Sequence, residues 1–101
     1  MSLLQFWRFV SEATQAKRYF VSGMVQGVGF RYTAEGLAAG FAVAGYVRNL
    51  AGGGVELVAE GQESEVAAFL QALASRMAHG IRDCTTEDLP HGGLEGFHIR
   101  Y

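Results

Sequence analysis

The sequence predicts an α+β sandwich: an antiparallel sheet carrying two helices on one face. Two stretches space their apolar residues for helices, Ala34, Leu37, Ala38 and Phe41 in the first and Val66, Phe69, Leu70, Leu73 and Met77 in the second. Strand-like runs stand before, between and after them. Half of the 101 residues are hydrophobic and only 18% are charged, so the chain buries one core and has no room for two.

Each element follows from local pattern. Lys17 to Val25 reads as a strand, with Tyr19, Val21, Gly23 and Val25 on one face and Phe20 and Met24 on the other. A helix is expected over about Tyr32 to Phe41, weakened by Gly36 and Gly40 by about 1 kcal/mol each against alanine, so packing must hold it. Val43 to Asn49 and Val55 to Glu60 are strand-like, and Ala51-Gly52-Gly53-Gly54 between them favours a tight hairpin. Gly61 is read as the end of the second of these strands. A second helix is expected over about Ser64 to Ala78, with Ser64 as cap, Glu63 and Glu65 in the first turn, Arg76 and His79 in the last, and Gly80 as its stop. Ile81 to Leu89 is a polar strand suited to a sheet edge, Pro90 to Gly93 a loop, and Phe97 to Tyr101 a short last strand. The order is β-α-β-β-α-β plus a terminal strand, the split β-α-β, ferredoxin-like arrangement.

Bulk properties exclude several classes of function. A net charge of −2 gives no general attraction to nucleic acid or to an anionic membrane, so neither is expected as a partner. The single Cys84 cannot form an internal disulfide, which fits a reducing cytoplasm. No apolar run reaches membrane-spanning length. Gln5 and Arg8 interrupt the apolar N-terminal residues and no basic leader precedes them, so a signal peptide is not expected. Residues 1–16 are read as an extension with the makings of a short amphipathic helix, and 17–101 as the domain.

The most informative stretch runs from Val21 to Arg31, Val-Ser-Gly-Met-Val-Gln-Gly-Val-Gly-Phe-Arg. An apolar run ends in a glycine-studded turn, and an arginine follows where the helical pattern takes over. Such a turn presents several backbone N–H groups to one point, and with a helix N-terminus and a guanidinium it makes a receptacle for a tetrahedral oxyanion. Two common phosphate motifs do not apply. The chain has no Gly-Lys-Ser/Thr triplet, and Gly27-Val28-Gly29 is followed three residues later by Tyr32 rather than glycine. A second informative stretch, Gly45-Tyr46-Val47-Arg48-Asn49 with Gly54-Val55 and Gly61 after it, puts an asparagine at a strand end 18 residues beyond Arg31. With one helix between them, the two ends can share one edge of the sheet.

Together these two stretches resemble the signatures of the acylphosphatase family: the Val-Gln-Gly-Val-Gly-Phe-Arg loop, and the Gly-aromatic-Val-x-Asn strand with its later glycines. The likeness covers about residues 17–101, including Glu60-Gly61 and the closing Gly96-Phe97-His98-Ile99-Arg100-Tyr101. Tyr46 stands where the family often has tryptophan, Gly52 replaces a common turn aspartate, and residues 1–16 have no counterpart. The resemblance implies hydrolysis of acyl phosphates to carboxylate and inorganic phosphate. It implies Arg31 as phosphate-binding residue, Asn49 as the residue orienting water, and the backbone amides of Gln26, Gly27, Val28, Gly29 and Phe30 as the phosphate cradle. The chemistry is consistent with that. A leaving carboxylate has a conjugate acid of pKa about 4 and needs no strong general acid, and phosphoryl transfer asks mainly for alignment and charge stabilisation. No metal or cofactor is expected, and a monomer is.

Plainer readings stand beside these. Arg31 could be a surface arginine at a helix start, but there its charge opposes the helix dipole unless an anion is shared. Asn49 could be a turn former before a hairpin. Gln26 is read as bridging the loop rather than as catalytic, and Arg48 as solvated on the opposite face from Asn49. His79, His91, His98 and Cys84 have no metal-ligand spacing and are read as structural or exposed. A rival to the enzyme is a non-catalytic anion-binding module of the same fold, of the kind found at the front of large hydrogenase-maturation proteins. The chain has no Cys-x-x-Cys segment, which favours the enzyme. An RNA-binding domain is disfavoured by the net charge and the lack of an Arg/Lys-Gly-Phe pattern.

Overall fold

The computed structural model describes residues 2–3, 14–90 and 92–101. Residues 4–13 of the extension, with the short helix considered there, and the reading of His91 lie outside the described residues, whereas Thr14 to Ala16 belong to the first strand. Seven elements follow in chain order: β1 (Thr14–Gly23), α1 (Phe30–Ala38), β2 (Val43–Asn49), β3 (Val55–Gln62), α2 (Glu63–Met77), β4 (Ile81–Leu89) and β5 (Phe97–Arg100). The sheet order is β4-β1-β3-β2-β5. The first four strands are antiparallel throughout, as expected of the split β-α-β unit, whereas β5 adds in parallel beside β2. The sheet is therefore mixed rather than wholly antiparallel. The chain leaves β4 at one edge and crosses to the other edge before laying down β5, which sets that direction.

Several boundaries move for identifiable reasons. Thr14 to Ala16 join β1 because they pair with Gln62 to Glu60 of β3, and β1 stops at Gly23 because the Met24 N–H turns to the Gly80 carbonyl at 2.8 Å. Gly61 does not end β3: it pairs with Gln15 and Val43, and the strand runs on to Gln62. Because β3 passes straight into α2, the N-cap falls on Gln62, in extended conformation, and not on Ser64. His79 lies beyond the helix, and Arg76 is the basic residue of its last turn. α1 starts two residues early, at Phe30. It ends at Ala38, where the N–H groups of Gly40 and Phe41 reach back only three residues, to Leu37 at 3.0 Å and Ala38 at 3.1 Å.

The core lies between the helices and one sheet face. Val21, Val47, Val55, Leu57 and Ala59 from the sheet meet Phe30, Ala34 and Ala38 of α1 and Val66, Phe69 and Leu73 of α2. Phe69 is fully buried and edge-on to Phe97, with ring centroids 5.3 Å apart, while Phe41 tilts against it at 6.2 Å. Enclosing a side chain of that size contributes roughly 1.5–3 kcal/mol. All apolar positions predicted for the two helices join this cluster.

The opposite sheet face is laced by charge around buried Ala16 and Val58. Buried Glu56 accepts from Arg48 Nε at 2.6 Å and faces Arg18 Nε at 2.9 Å, and Arg18 also pairs with Glu87. Arg48 thus lies opposite Asn49 and exposed to solvent as expected, and it also pairs with Glu56, which β3 brings beside it. The Arg100 guanidinium lies 3.8 Å from the centre of the Tyr46 ring. Buried Glu60 holds the loop before β5, accepting from the N–H groups of Gly92 at 2.7 Å and Leu94 at 2.9 Å. No helix among the described residues is long and apolar enough to cross a membrane.

Candidate active site

The antiparallel register fixes where the chemistry-bearing residues meet. Val21 pairs with Val55, and Val55 pairs with Asn49, so the ends of β1 and β2 stand level at one edge of the sheet. With strands spaced about 4.8 Å apart, Asn49 lies roughly 10 Å across the sheet from β1. The loop leaving β1 spans that gap and runs directly into α1.

Gly27 and Gly29 hold the loop in left-handed conformation, at φ +76° and +83°. Gly29 is also the N-cap of α1, and being glycine it offers no side chain to the first turn, which contains no acidic residue either. The helix N-terminus therefore keeps its free amides and the positive end of its dipole. Among the described residues, none of the amides of Gln26 to Phe30 donates to a backbone carbonyl outside the regular elements. An added Cβ at Gly27 or Gly29 would meet nothing within 4 Å, so the loop is glycine for its backbone conformation and not for want of room.

A concavity of about 230 Å³ opens at this edge, lined by Val25, Gly27, Gly29, Phe30, Arg31, Tyr32 and Asn49. It brings together Arg31, Asn49 and the two loop glycines from segments far apart in sequence. The Phe30 side chain is buried in the core, leaving only its backbone to the site. Neither Gln26 nor Val28 lines the concavity. The Val28 side chain is exposed on the other flank of the loop, and Gln26 reaches away to the β2–β3 hairpin.

There, Gln26 Nε2 donates to the Leu50 carbonyl at 2.8 Å and to the Gly54 carbonyl at 2.6 Å. Those carbonyls also close the hairpin, accepting from Gly53 N–H at 3.1 Å and Leu50 N–H at 3.0 Å. One side-chain amide thus pins the loop to the turn that follows Asn49, and the bridging read for Gln26 extends between the two halves of the site. Asn49 Oδ1 is buried and, among the described residues, accepts no hydrogen bond. Among the same residues no carboxylate forms an ion pair with Arg31.

Two residues at this site were not singled out in the sequence. Tyr32 lines the concavity, and the Tyr101 ring centre lies 5.1 Å from the Arg31 guanidinium carbon. A hydrogen bond with Tyr32 raises the Tyr101 hydroxyl above its ordinary pKa. Only Tyr32 carried a signal, as an aromatic residue off the apolar stripe of α1. Tyr101 reaches Arg31 because β5 lies beside β2, and nothing local announces that pairing.

Loop amides, a helix N-terminus and the Arg31 guanidinium thus surround one hollow in an open α+β sheet. The Acylphosphatase family model matches residues 17–99, and the chain belongs to the acylphosphatase family. It is 42% identical over 91 residues to an acylphosphatase of Saccharopolyspora erythraea, covering 87% of this chain and 96% of that protein. An acylphosphatase of Petrotoga mobilis is 36% identical over 86 residues, covering 84% and 97% respectively. In structure the chain resembles the acylphosphatase of Bacillus subtilis, with a TM-score of 0.76 and 33% identity over 86% of this chain and 99% of that one.

Proposed function

We propose that this protein hydrolyses acyl phosphates to a carboxylate and inorganic phosphate. The observation that carries the reading is the convergence of Arg31, Asn49 and the glycine loop on one concavity. In this reading the amides of Gln26, Gly27, Val28, Gly29 and Phe30 cradle one non-bridging phosphoryl oxygen, and Arg31 takes the other two in a bidentate pair. Tyr101 stacked on the guanidinium limits its freedom before substrate arrives.

Asn49 is neither an acid nor a base, so its part is placement. A buried acceptor without a donor costs about 1–3 kcal/mol, and a water donating to Oδ1 removes that cost. A water held there attacks phosphorus in line with the departing group. Its oxygen bonds to phosphorus while the bond from phosphorus to the acyl oxygen breaks. The electron pair leaves on the carboxylate, and a water proton passes to solvent.

Benzoyl phosphate turnover by the folded protein tests the reading. Hydrolysis well above the buffer rate is expected, with inorganic phosphate as a competitive inhibitor. A domain that only binds anions would bind phosphate and leave benzoyl phosphate at the buffer rate.

A further inference from the structure

β4 brings little bulk to the face of the sheet that carries the helices. Its Cys84 pairs with Val21 and its Thr86 with Tyr19, both residues of the core side, so Cys84 and Thr86 share that side. Their side chains are short, and a cavity of about 180 Å³ remains between this part of the sheet and α2. Tyr19 and Val21 of β1, Leu57 of β3, Leu70 and Leu73 of α2 and Cys84 of β4 line it. Phe30, only 2% exposed, closes its inner side. No charged residue is among the described residues that line it. Ala74 and Cys84, which also border it, are exposed and leave a way in from solvent.

We propose that this cavity is a binding site for a small, uncharged aromatic molecule, separate from the anion hollow. The size fits one or two rings, since a dry cavity of about 150 Å³ lined by Leu, Ile and Phe takes up benzene. An empty void forfeits dispersion contacts over its whole lining, and a ring that fills it restores them. Water is a poor occupant, because it needs two to four polar partners and the lining side chains offer a phenol and a thiol. Burial holds the Tyr19 hydroxyl and the Cys84 thiol above their ordinary pKa values, so both stay neutral at neutral pH. A charged ligand would therefore lose its hydration and find no counter-ion. One residue joins the cavity to the anion site: the Phe30 side chain walls the cavity, while its backbone borders the hollow of Arg31 and Asn49. A bound ring packs against the first residue of α1 without entering that hollow. The site stands whether or not the hollow is hydrolytic.

Titration with indole tests this, using protein labelled with ¹³C at the Val and Leu methyls and ¹⁵N at the amides. Indole is expected to shift the methyls of Val21, Leu57, Leu70 and Leu73, and sodium benzoate at the same concentration to leave them still. Saturating inorganic phosphate is expected to leave the indole shifts in place, because the two sites fill independently. Ala74→Leu places a larger side chain at the way in on a residue that suits a helix, and is expected to weaken indole about ten-fold. Methyls that stay still up to the solubility limit of indole, or an unweakened affinity in the folded Ala74→Leu variant, would overturn the site. Equal shifts with benzoate would overturn the uncharged ligand class. Indole shifts that vanish on adding phosphate would place the ring in the hollow and overturn a separate site.

Discussion

Gln26 works through geometry that its amide alone can satisfy, because Nε2 spends both hydrogens on the Leu50 and Gly54 carbonyls. Gln26→Glu keeps the length and removes the donors, setting a carboxylate against two carbonyl oxygens. Loss of the tie lets the loop and Asn49 drift apart, and a misplacement near 1 Å costs up to about 100-fold in rate. A fall of about 10–100-fold in kcat/KM for benzoyl phosphate is expected, with stability lowered by about 1–3 kcal/mol in denaturant titration. Under the proposed mechanism, in which Asn49 would place a water and hold no phosphate, Asn49→Ala is expected to lose chiefly kcat, whereas Arg31→Ala loses both phosphate affinity and turnover. Equal loss of KM and kcat in both variants would refute that division. Arg31, Asn49 and the loop were legible because each stands in a patterned segment. The Gln26 tie was not, since its partners are backbone carbonyls 24 and 28 residues away.

The elements depend on close approaches that sequence pattern does not reveal. Gly45, in the middle of β2, has φ +149°, and a Cβ there would run into the Val58 carbonyl of β3. Gly45→Ala is therefore expected to destabilise by about 3 kcal/mol or more through local displacement of β2, read as a lowered denaturation midpoint. Glu60 is a second such point, because its carboxylate satisfies two loop amides from a buried position. Glu60→Leu removes both acceptors and leaves those donors unmatched, with an expected loss of about 1–3 kcal/mol per orphaned amide. Faster hydrogen exchange at Gly92 and Leu94 checks the cause. Helical stripes and the β2 bounds were readable from periodicity. The starts of β1 and α2 were not, since pairing with Gln62 extends the one and the run-on of β3 moves the cap of the other.

Across the whole molecule, two groups packed near β4 contribute to the response to alkali beside Tyr101 at the site. Burial raises the pKa of the Tyr19 hydroxyl, and partial burial that of the Cys84 thiol. The folded chain holds both protons more tightly than the unfolded chain does. Stability is then undiminished below the ordinary thiol and phenol values and falls as pH rises above them. A thermal midpoint that declines above about pH 8.5 is expected, less steeply in Tyr19→Phe than in wild type. A slope unaffected by that substitution would remove Tyr19 from the account. The raised thiol also predicts slow alkylation of Cys84 at neutral pH despite its exposure.

The sequence by itself determined which residues are apolar at helical or strand spacing, and hence the α+β order. It also determined which glycines allow a loop of free amides, and which two side chains lie near the loop and at the second strand's end. These are local properties, set by period, backbone freedom and chemical type. Only the tertiary structure decided that β5 runs parallel beside β2. It also decided that Gln26 ties the loop to the hairpin, that Tyr101 stacks on Arg31, and that an apolar cavity lies behind Phe30. Each of these joins segments through sheet register and chain crossing, which a sequence encodes only through the packing of the whole core.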